Sequence, residues 1–480
     1  MGFVLLCQAC LASAQETTLG LIPDSARIDQ LERTVQSVVE ENRRLSQEID
    51  SLKSQTFVAT GEEPPAFVSV TRCDPSYCDS DSHANVPYYA GFDNGFFIRP
   101  VNAAESPYSL KINHQNTIRY SGFARDATSW IDSAGVTNPI FNSSAAMIPR
   151  GRLIFSGNAF LPDMTYLLNI DYNTVSANPI GFRAYALSYK FSRGFQLHLG
   201  QNKVPGTREW LVSSWDAQEG PDRSMATTFF RPSLSQGVWI TGEPVDGLHY
   251  HAMISNGFNT LNIRPTEIGD HTCFSGSTWW EPWGEFGRGY CDIEHHEELV
   301  MRIGSSLTSS REEGSQTSDY PENTSIRLSD GTLITQQGAL APGLTVQAFS
   351  MTLAAFDVSF KRRGFSLSTE LYFQDLSNLQ LNGPAPVNSI RAQGGMVQGG
   401  YFVVPQRLEF YSRNSYVTGG YGSGTEIGGG FNWFILPGKS NLRFTMDAAW
   451  LESSPADQNR TGFVAGQTGL LVRTQINSAF

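Results

Sequence analysis

Lysine, with cysteine, is the residue this chain has least use for. Lysine and arginine together number 34 in 480 residues, and only six are lysine, at positions 53, 111, 190, 203, 361 and 439. Arginine therefore carries most of the positive charge, and its planar fork suits fixed, bidentate contacts to anions. Charge of either sign is sparse, 17% of residues against ~25% in an ordinary soluble domain. Long hydrophobic runs are missing too. Beyond the first dozen residues nothing approaches the roughly 18–20 apolar residues that a membrane helix needs. A membrane-spanning protein of this composition has to be a barrel. A mean hydropathy of -0.25 is compatible with one, because lumen-facing residues offset lipid-facing ones. The net charge of -12 argues against nucleic acid as a partner. G-x-S-x-G, H-E-x-x-H and Walker patterns are absent, so neither an enzyme nor a cofactor is expected.

Cysteine is scarce and unevenly placed. Cys7 and Cys10 lie in a short apolar start, Phe3 to Leu11, followed by Ala12-Ser13-Ala14 before Gln15. Residues 1–14 therefore read as a secretory signal peptide, without the basic n-region such a signal carries. Of the four remaining cysteines, Cys73 and Cys78 bracket a turn-prone stretch, and Cys273 and Cys291 bracket a Gly/Trp-rich one. An even count in an exported chain predicts two local disulfides. The second would close a loop of about 19 residues, worth roughly 3 kcal/mol in the chain-entropy model. A four-cysteine metal site is the alternative, but it needs distant pairs to meet and lacks tight C-x-x-C spacing. No metal is expected.

Residues 26–54 carry a clear helical repeat. Ile28, Leu31, Val35, Val38, Asn42, Leu45, Ile49 and Leu52 occupy successive a and d positions. β-Branched residues dominate a and leucine dominates d, the pattern of a coiled coil. In a parallel register Arg27 faces Glu32 of a second chain, and Glu48 faces Lys53. Residues 55–87 lose all periodicity and read as a linker.

From residue 88 to 480 the period becomes 2, that of a strand with one greasy and one wet face. The last strand runs to the end of the chain. Leu470, Val472, Thr474, Ile476, Ser478 and Phe480 alternate with Leu471, Arg473, Gln475, Asn477 and Ala479. A barrel in lipid needs its final strand locked against the first, since an open edge cannot exist there. Similar alternation marks 299–307, 365–374 and 442–451. In 182–191, Arg183 opens the greasy set with Tyr185, Leu187, Tyr189 and Phe191, which places it at a membrane interface. Sixteen strands leave about 25 residues per strand and connection; 14 or 18 strands satisfy the periodicity equally. The fold class is thus all-β, a transmembrane antiparallel barrel with an N-terminal coiled coil.

Several stretches carry a family likeness. They are Gly91-Phe92-Asp93-Asn94-Gly95-Phe96-Phe97-Ile98 with Ser109-Leu110-Lys111-Ile112, then Arg150-Gly151-Arg152-Leu153-Ile154-Phe155-Ser156-Gly157. Next come Gly200-Gln201-Asn202-Lys203-Val204-Pro205, Arg208-Glu209, Ser213-Ser214 and Asp222-Arg223-Ser224. Gln236-Gly237-Val238-Trp239 and Ser255-Asn256-Gly257 close the set. In order and spacing the chain resembles the phosphate-selective porin O and P family over roughly residues 88–260. The resemblance implies a 16-stranded outer-membrane porin, usually trimeric, with one loop folded into the lumen. It makes Lys203, Arg208, Arg223 and Arg231 the candidate anion-binding or constriction residues. A structural ion pair with Glu209, Asp216, Glu219 or Asp222 is the competing role for Arg208 or Arg223. Arg119, Arg302, Arg443 and Arg473 fall on wet strand faces and are weaker lumen candidates.

The chain departs from the family in its few lysines and in the acids of 270–298, namely Asp270, Glu281, Glu285, Asp292, Glu294, Glu297 and Glu298. A porin is therefore better supported than phosphate selectivity. The expectation is passive diffusion of small hydrophilic solutes, including phosphate or other anions, through the outer membrane. Its partners would be membrane lipids and further copies of the chain. A homotrimer fits the resemblance, while Asn42 and the β-branched a positions favour a two-stranded coil. The alternative role is a structural anchor, with a periplasmic coiled coil reaching cell-wall material.

Overall fold

The computed structural model describes residues 36, 40, 43, 44, 87–103, 106–321 and 323–480. The chain divides into two units, Met1–Asp81 and Ser82–Phe480. In the first, Gln36, Glu40, Arg43 and Arg44 are helical and exposed. The signal peptide, the coiled-coil core from Ile28 to Leu52, and Cys73 with Cys78 lie outside the described residues.

The second unit is nearly all strand. β1 (Tyr88–Phe92) and β2 (Phe96–Pro100) form a hairpin that joins one edge of β3 (Leu110–Arg125). β4 (Ser129–Ile131) and β5 (Thr137–Pro139) form a separate hairpin. There follow β6 (Ser143–Ala159), β7 (Leu161–Tyr172), β8 (Ile180–Ser192) and β9 (Phe195–Lys203). β10 (Leu234–Val245), β11 (Leu248–Ser255), β12 (Cys273–Trp280) and β13 (Val300–Glu313) continue the sheet. β14 (Val346–Arg362), β15 (Phe365–Leu381), β16 (Ser389–Val404) and β17 (Leu408–Gly419) come next. β18 (Gly422–Phe434), β19 (Leu442–Glu452) and β20 (Gly469–Ala479) complete it. β20 returns to pair with β3, from Gly469 opposite Arg125 to Ala479 opposite Gln115. The 18-stranded sheet is thus a closed antiparallel ring of sixteen strands, β3 and β6 through β20, with β1 and β2 appended.

Alternation places the two faces as the sequence predicts. On β15, Phe365, Leu367, Leu371 and Phe373 are exposed on the outside, while Ser366, Ser368, Glu370, Tyr372 and Gln374 are buried inside. Exposed Leu, Ile, Val and aromatic residues recur around the outer wall, among them Phe356, Val397, Phe410, Ile427 and Trp450. Such a wall is stable in lipid, where a closed barrel leaves no unpaired strand edge. The C-terminal residue takes part in the closure. The His114 N–H donates to the Phe480 carbonyl at 2.7 Å, the Phe480 N–H donates to the His114 carbonyl at 3.0 Å, and the two rings lie 5.1 Å apart.

The two ends of the barrel differ. At one, the turn end, strands are joined by pairs such as Arg193-Gly194, Asp246-Gly247 and Arg363-Gly364. Gly247 and Gly364 take positive φ there, as tight hairpin turns require. The exception at this end is the long connection 281–299. At the other, the loop end, 126–142, 204–233, 256–272, 314–345 and 453–468 are all long.

Three expectations are corrected. First, Cys273 and Cys291 are free and buried, not bridged. Cys273 opens β12 at the loop end and packs with Val204, Trp239 and Met253, whereas Cys291 packs with Phe402 and Phe434 beyond its other end. The eight residues of β12 span about 26 Å, far beyond the reach of a disulfide. Second, the inner wall is not uniformly polar. Met351, Leu353 and Ala355 of β14 point inward and join Phe230, Leu328, Ile334 and Phe463 in an apolar core inside the barrel, and only further along do Asp357, Ser359 and Lys361 take over. Third, Arg183 does not face the membrane interface. Asn169 pairs with Ala184 and Ile170 with Phe182, so a bulge leaves Arg183 without a partner and turns it inward. Gln201 holds the bulge by donating to the Phe182 and Arg183 carbonyls.

Deleting Phe480 removes two backbone hydrogen bonds and one ring contact at the closing seam. A loss of about 2 kcal/mol is expected, read as a lower temperature for conversion from the compact to the unfolded gel band. An unchanged transition would show that the seam holds without it.

Candidate functional site

The connection 204–233 leaves the loop end and folds inside the barrel, where nearly all of it is buried. It contains two short helices, α1 (Arg208–Leu211) and α2 (Met225–Phe230). Each starts in the usual way for its sequence, with a hydroxyl accepting a backbone N–H: Thr207 from Trp210 and Ser224 from Thr227. The barrel wall supplies further caps. Glu370 on β15 accepts the Arg208 and Glu209 N–H groups at 2.5 and 3.1 Å, and Glu426 on β18 accepts that of Met225 at 2.8 Å.

Wall arginines hold the rest of the loop. Arg119 donates to the Pro221 carbonyl at 2.8 Å and to Asp222 at 2.9 Å. Arg150 grips Asp222 with both terminal nitrogens, at 2.7 and 2.8 Å. Arg413 pairs with Glu426 and donates to the Asp222 carbonyl at 2.6 Å, and Arg443 donates to the Gln218 carbonyl at 2.8 Å. Burial alone would raise the Asp222 carboxyl, but Arg150 and Arg119 hold it well below the usual carboxylate range.

The four candidate cations separate into two groups. Arg208 is structural: it lies 3.6 Å from Asp357, bonds Ser359, and sits over the rings of Phe286 and Tyr290. Lys203, Arg223 and Arg231 instead converge on the ring of Trp210, at 5.3, 4.7 and 4.3 Å from its centroid. Their hydrogen bonds go only to carbonyls. Lys203 donates to those of Leu211 and Val212, Arg223 to those of Glu209, Trp210 and Val212, and Arg231 to that of Pro232. Among the described residues, the Arg231 Nε has no hydrogen-bond partner. Burial and the charge of Arg223 push Arg231 down to about 9. Among the described residues, no carboxylate forms an ion pair with any of these three.

Beside this cluster lies a cavity of about 1350 Å³, lined by β3, β6 to β12, the β1–β2 hairpin, the internal loop and the 281–299 connection. Its charged lining residues are Arg99, Lys111, Arg152, Arg183, Lys203 and Arg288; none of the described residues that line it is acidic. Arg183 makes no ion pair among the described residues. Arg152 is 3.6 Å from Asp171, which Arg460 also engages. Sequence reasoning did not single out Arg99, Arg152, Arg183 or Trp210 as site residues. The break in alternation at Gly181-Phe182-Arg183 was the one local signal for Arg183.

The weaker lumen candidates do point inward, each already engaged. Arg119 is taken by Asp222, Arg302 by Asp357, Arg473 by Asp447 and Arg443 by the Gln218 carbonyl. Acids of 270–298 are partly structural as well. Asp292 accepts the Gly364 N–H and binds His296, Glu294 pairs with Lys361, and Glu281 accepts the Phe286 N–H.

No protein-family model and no curated protein matches the chain. Solved structures with a similar backbone include the anion-selective porin of Comamonas acidovorans, at TM-score 0.47 and 13% identity over 77% of this chain and 99% of that one. OmpF of Salmonella typhi in complex with daunomycin gives 0.47 and 14% over 78% and 98%. The outer membrane channel DcaP of Acinetobacter baumannii gives 0.45 and 11% over 77% and 97%.

Replacing Asp222 by Asn leaves two buried guanidiniums without their counter-charge. A destabilisation of about 3–5 kcal/mol is expected, measured as a lower urea midpoint of the folded barrel in detergent. A midpoint within error of the parent would mean that Asp222 does not fasten the loop.

Proposed function

We propose that the barrel is an outer-membrane channel for passive diffusion of small hydrophilic solutes and that it favours anions. The observation that carries this reading is the cavity inside the ring, whose charged lining is six cations, of which Arg152 and Arg288 are ion-paired, and no described acid. Its supports are the apolar outer wall, suited to lipid, and the internal loop that narrows the lumen from one side.

The physics is that of a field rather than a reaction. In a narrow space walled by protein, a cation acts on a passing anion far more strongly than in bulk water. Cations that are already paired add little to that field, so Lys203, Arg223 and Arg231 matter more than Arg119 or Arg473. Arg183 extends the same positive surface, with Arg152, Arg223 and Arg460 as its cationic neighbours. Rings of arginine and lysine are the general solution for anion pores. The chain as a whole is acidic at -12, so the lining opposes the global charge.

The test is reconstitution in a planar bilayer, with the reversal potential measured under a KCl gradient and phosphate then titrated. Stepwise anion-preferring channels are expected. Arg183→Ala with Arg231→Ala should lower the anion-to-cation permeability ratio by about threefold or more. An unchanged ratio in the double variant would reject the assignment of these residues, and a folded barrel that never conducts would reject the channel itself.

A further inference from the structure

Two carboxylates meet where the internal loop touches β17. Glu219 belongs to the loop and Glu409 to the wall, and they are 1% and 0% exposed. Both crowd over Gly400 of β16, where a Cβ would overlap an oxygen of each. Asn432 of β18 stitches the pair together, its amide donating to the Glu219 carbonyl at 2.7 Å and to the Glu409 Oε2 at 2.8 Å. Ser366 of β15 donates to the Glu219 Oε1 at 3.3 Å. The Glu409 Oε1 is buried and receives no donor among the described residues. One proton held between this oxygen and the Glu219 carboxylate satisfies it.

The surrounding charges do not dissolve the conflict. Lys361 of β14 is near Glu219 but is paired with Glu294 and lies over the Phe286 ring. Arg443 of β19 is near both acids but donates to the Gln218 carbonyl. Arg413 and Tyr411 of β17 approach the neighbouring Gly220, and Arg413 is paired with Glu426. The buried Cys291 thiol faces the pair from the turn-end connection. Among the described residues, no cation forms an ion pair with Glu219 or Glu409.

We propose that Glu219 and Glu409 hold one proton between them and act as a pH-operated latch, fastening the internal loop to β17 until that proton is lost. Like charges in one buried site cannot both ionise without separating. Burial pushes the Glu219 carboxyl up to about 7. From the ordinary carboxyl value up to about 7 the folded chain keeps a proton that the unfolded chain has lost. The fastening therefore weakens as pH rises through that interval. The loop stretch around Glu219 then leaves the wall and enters the lumen. This device goes beyond diffusion through the pore and does not depend on which solute passes.

The experiment is hydrogen–deuterium exchange on the full-length folded protein at pH 5.5 and 8.5, corrected for intrinsic exchange chemistry. Protection of amides in 213–222 should fall at least about threefold at the higher pH, while the β4–β5 hairpin shows no such change. Glu409→Gln supplies a permanent donor to Glu219, so it should abolish the pH effect and keep the low-pH protection; Glu219→Gln should do the same. In bilayers the parent's mean conductance should drop about twofold or more over this range, and that of either variant should not. Equal protection of the parent at both pH values overturns the latch, even if neither variant folds. So does a Glu409→Gln protein that keeps the parent's pH response. Failure of the channel reading leaves the exchange result intact, so the two ideas fail separately.

Discussion

The internal loop stays where it is because buried arginines of the barrel wall reach its carbonyls and its Asp222 carboxylate. Asp222 receives Arg150 and Arg119 through its carboxylate, and Arg413 through its carbonyl. Wall carboxylates do the converse, with Glu370 and Glu426 capping the two short helices. Charges so deeply buried cost least when partnered. Their net contribution to stability is modest, but their geometry fixes where the loop is seated at Asp222. That seating divides the lumen. On one side α2 completes an apolar core with the 314–345 loop and the inner wall, and on the other the cationic cavity remains.

The same rule sorts the arginines by role. A guanidinium opposite a carboxylate is part of the scaffold, as with Arg119, Arg208, Arg302, Arg413 and Arg473. One that finds only carbonyls and an indole face forms no ion pair among the described residues, as with Arg223 and Arg231. Arg208 and Arg223 lie fifteen positions apart in one loop, yet fall on opposite sides of this division. What separates them is which strand lies opposite. Arg208 faces Asp357 on β14, and Arg223 faces the edge of Trp210's own helix.

Much of the barrel was legible from alternation. The last strand, the outward Phe and Leu of β15 and the inward polar set of β19 follow from a period of 2 that a sheet with two unlike environments imposes. Three features were not legible. The bulge at Arg183 depends on Gln201, a residue of the next strand. The separation of Cys273 from Cys291 depends on the strand running between them, which their sequence spacing hides. The inward Met351 and Leu353 read as misplaced until the loops that cover them are known.

The sequence by itself determined an all-β ring of about 14 to 18 strands, its two faces and the closing strand that ends on Phe480. Each of these is a local matter, set by side-chain period and chain length. Only the tertiary structure decided which cations are neutralised, where the cavity lies and that Glu219 meets Glu409. Those outcomes depend on contacts between residues of different strands and loops, and in a low-dielectric interior the partner decides what a charge does.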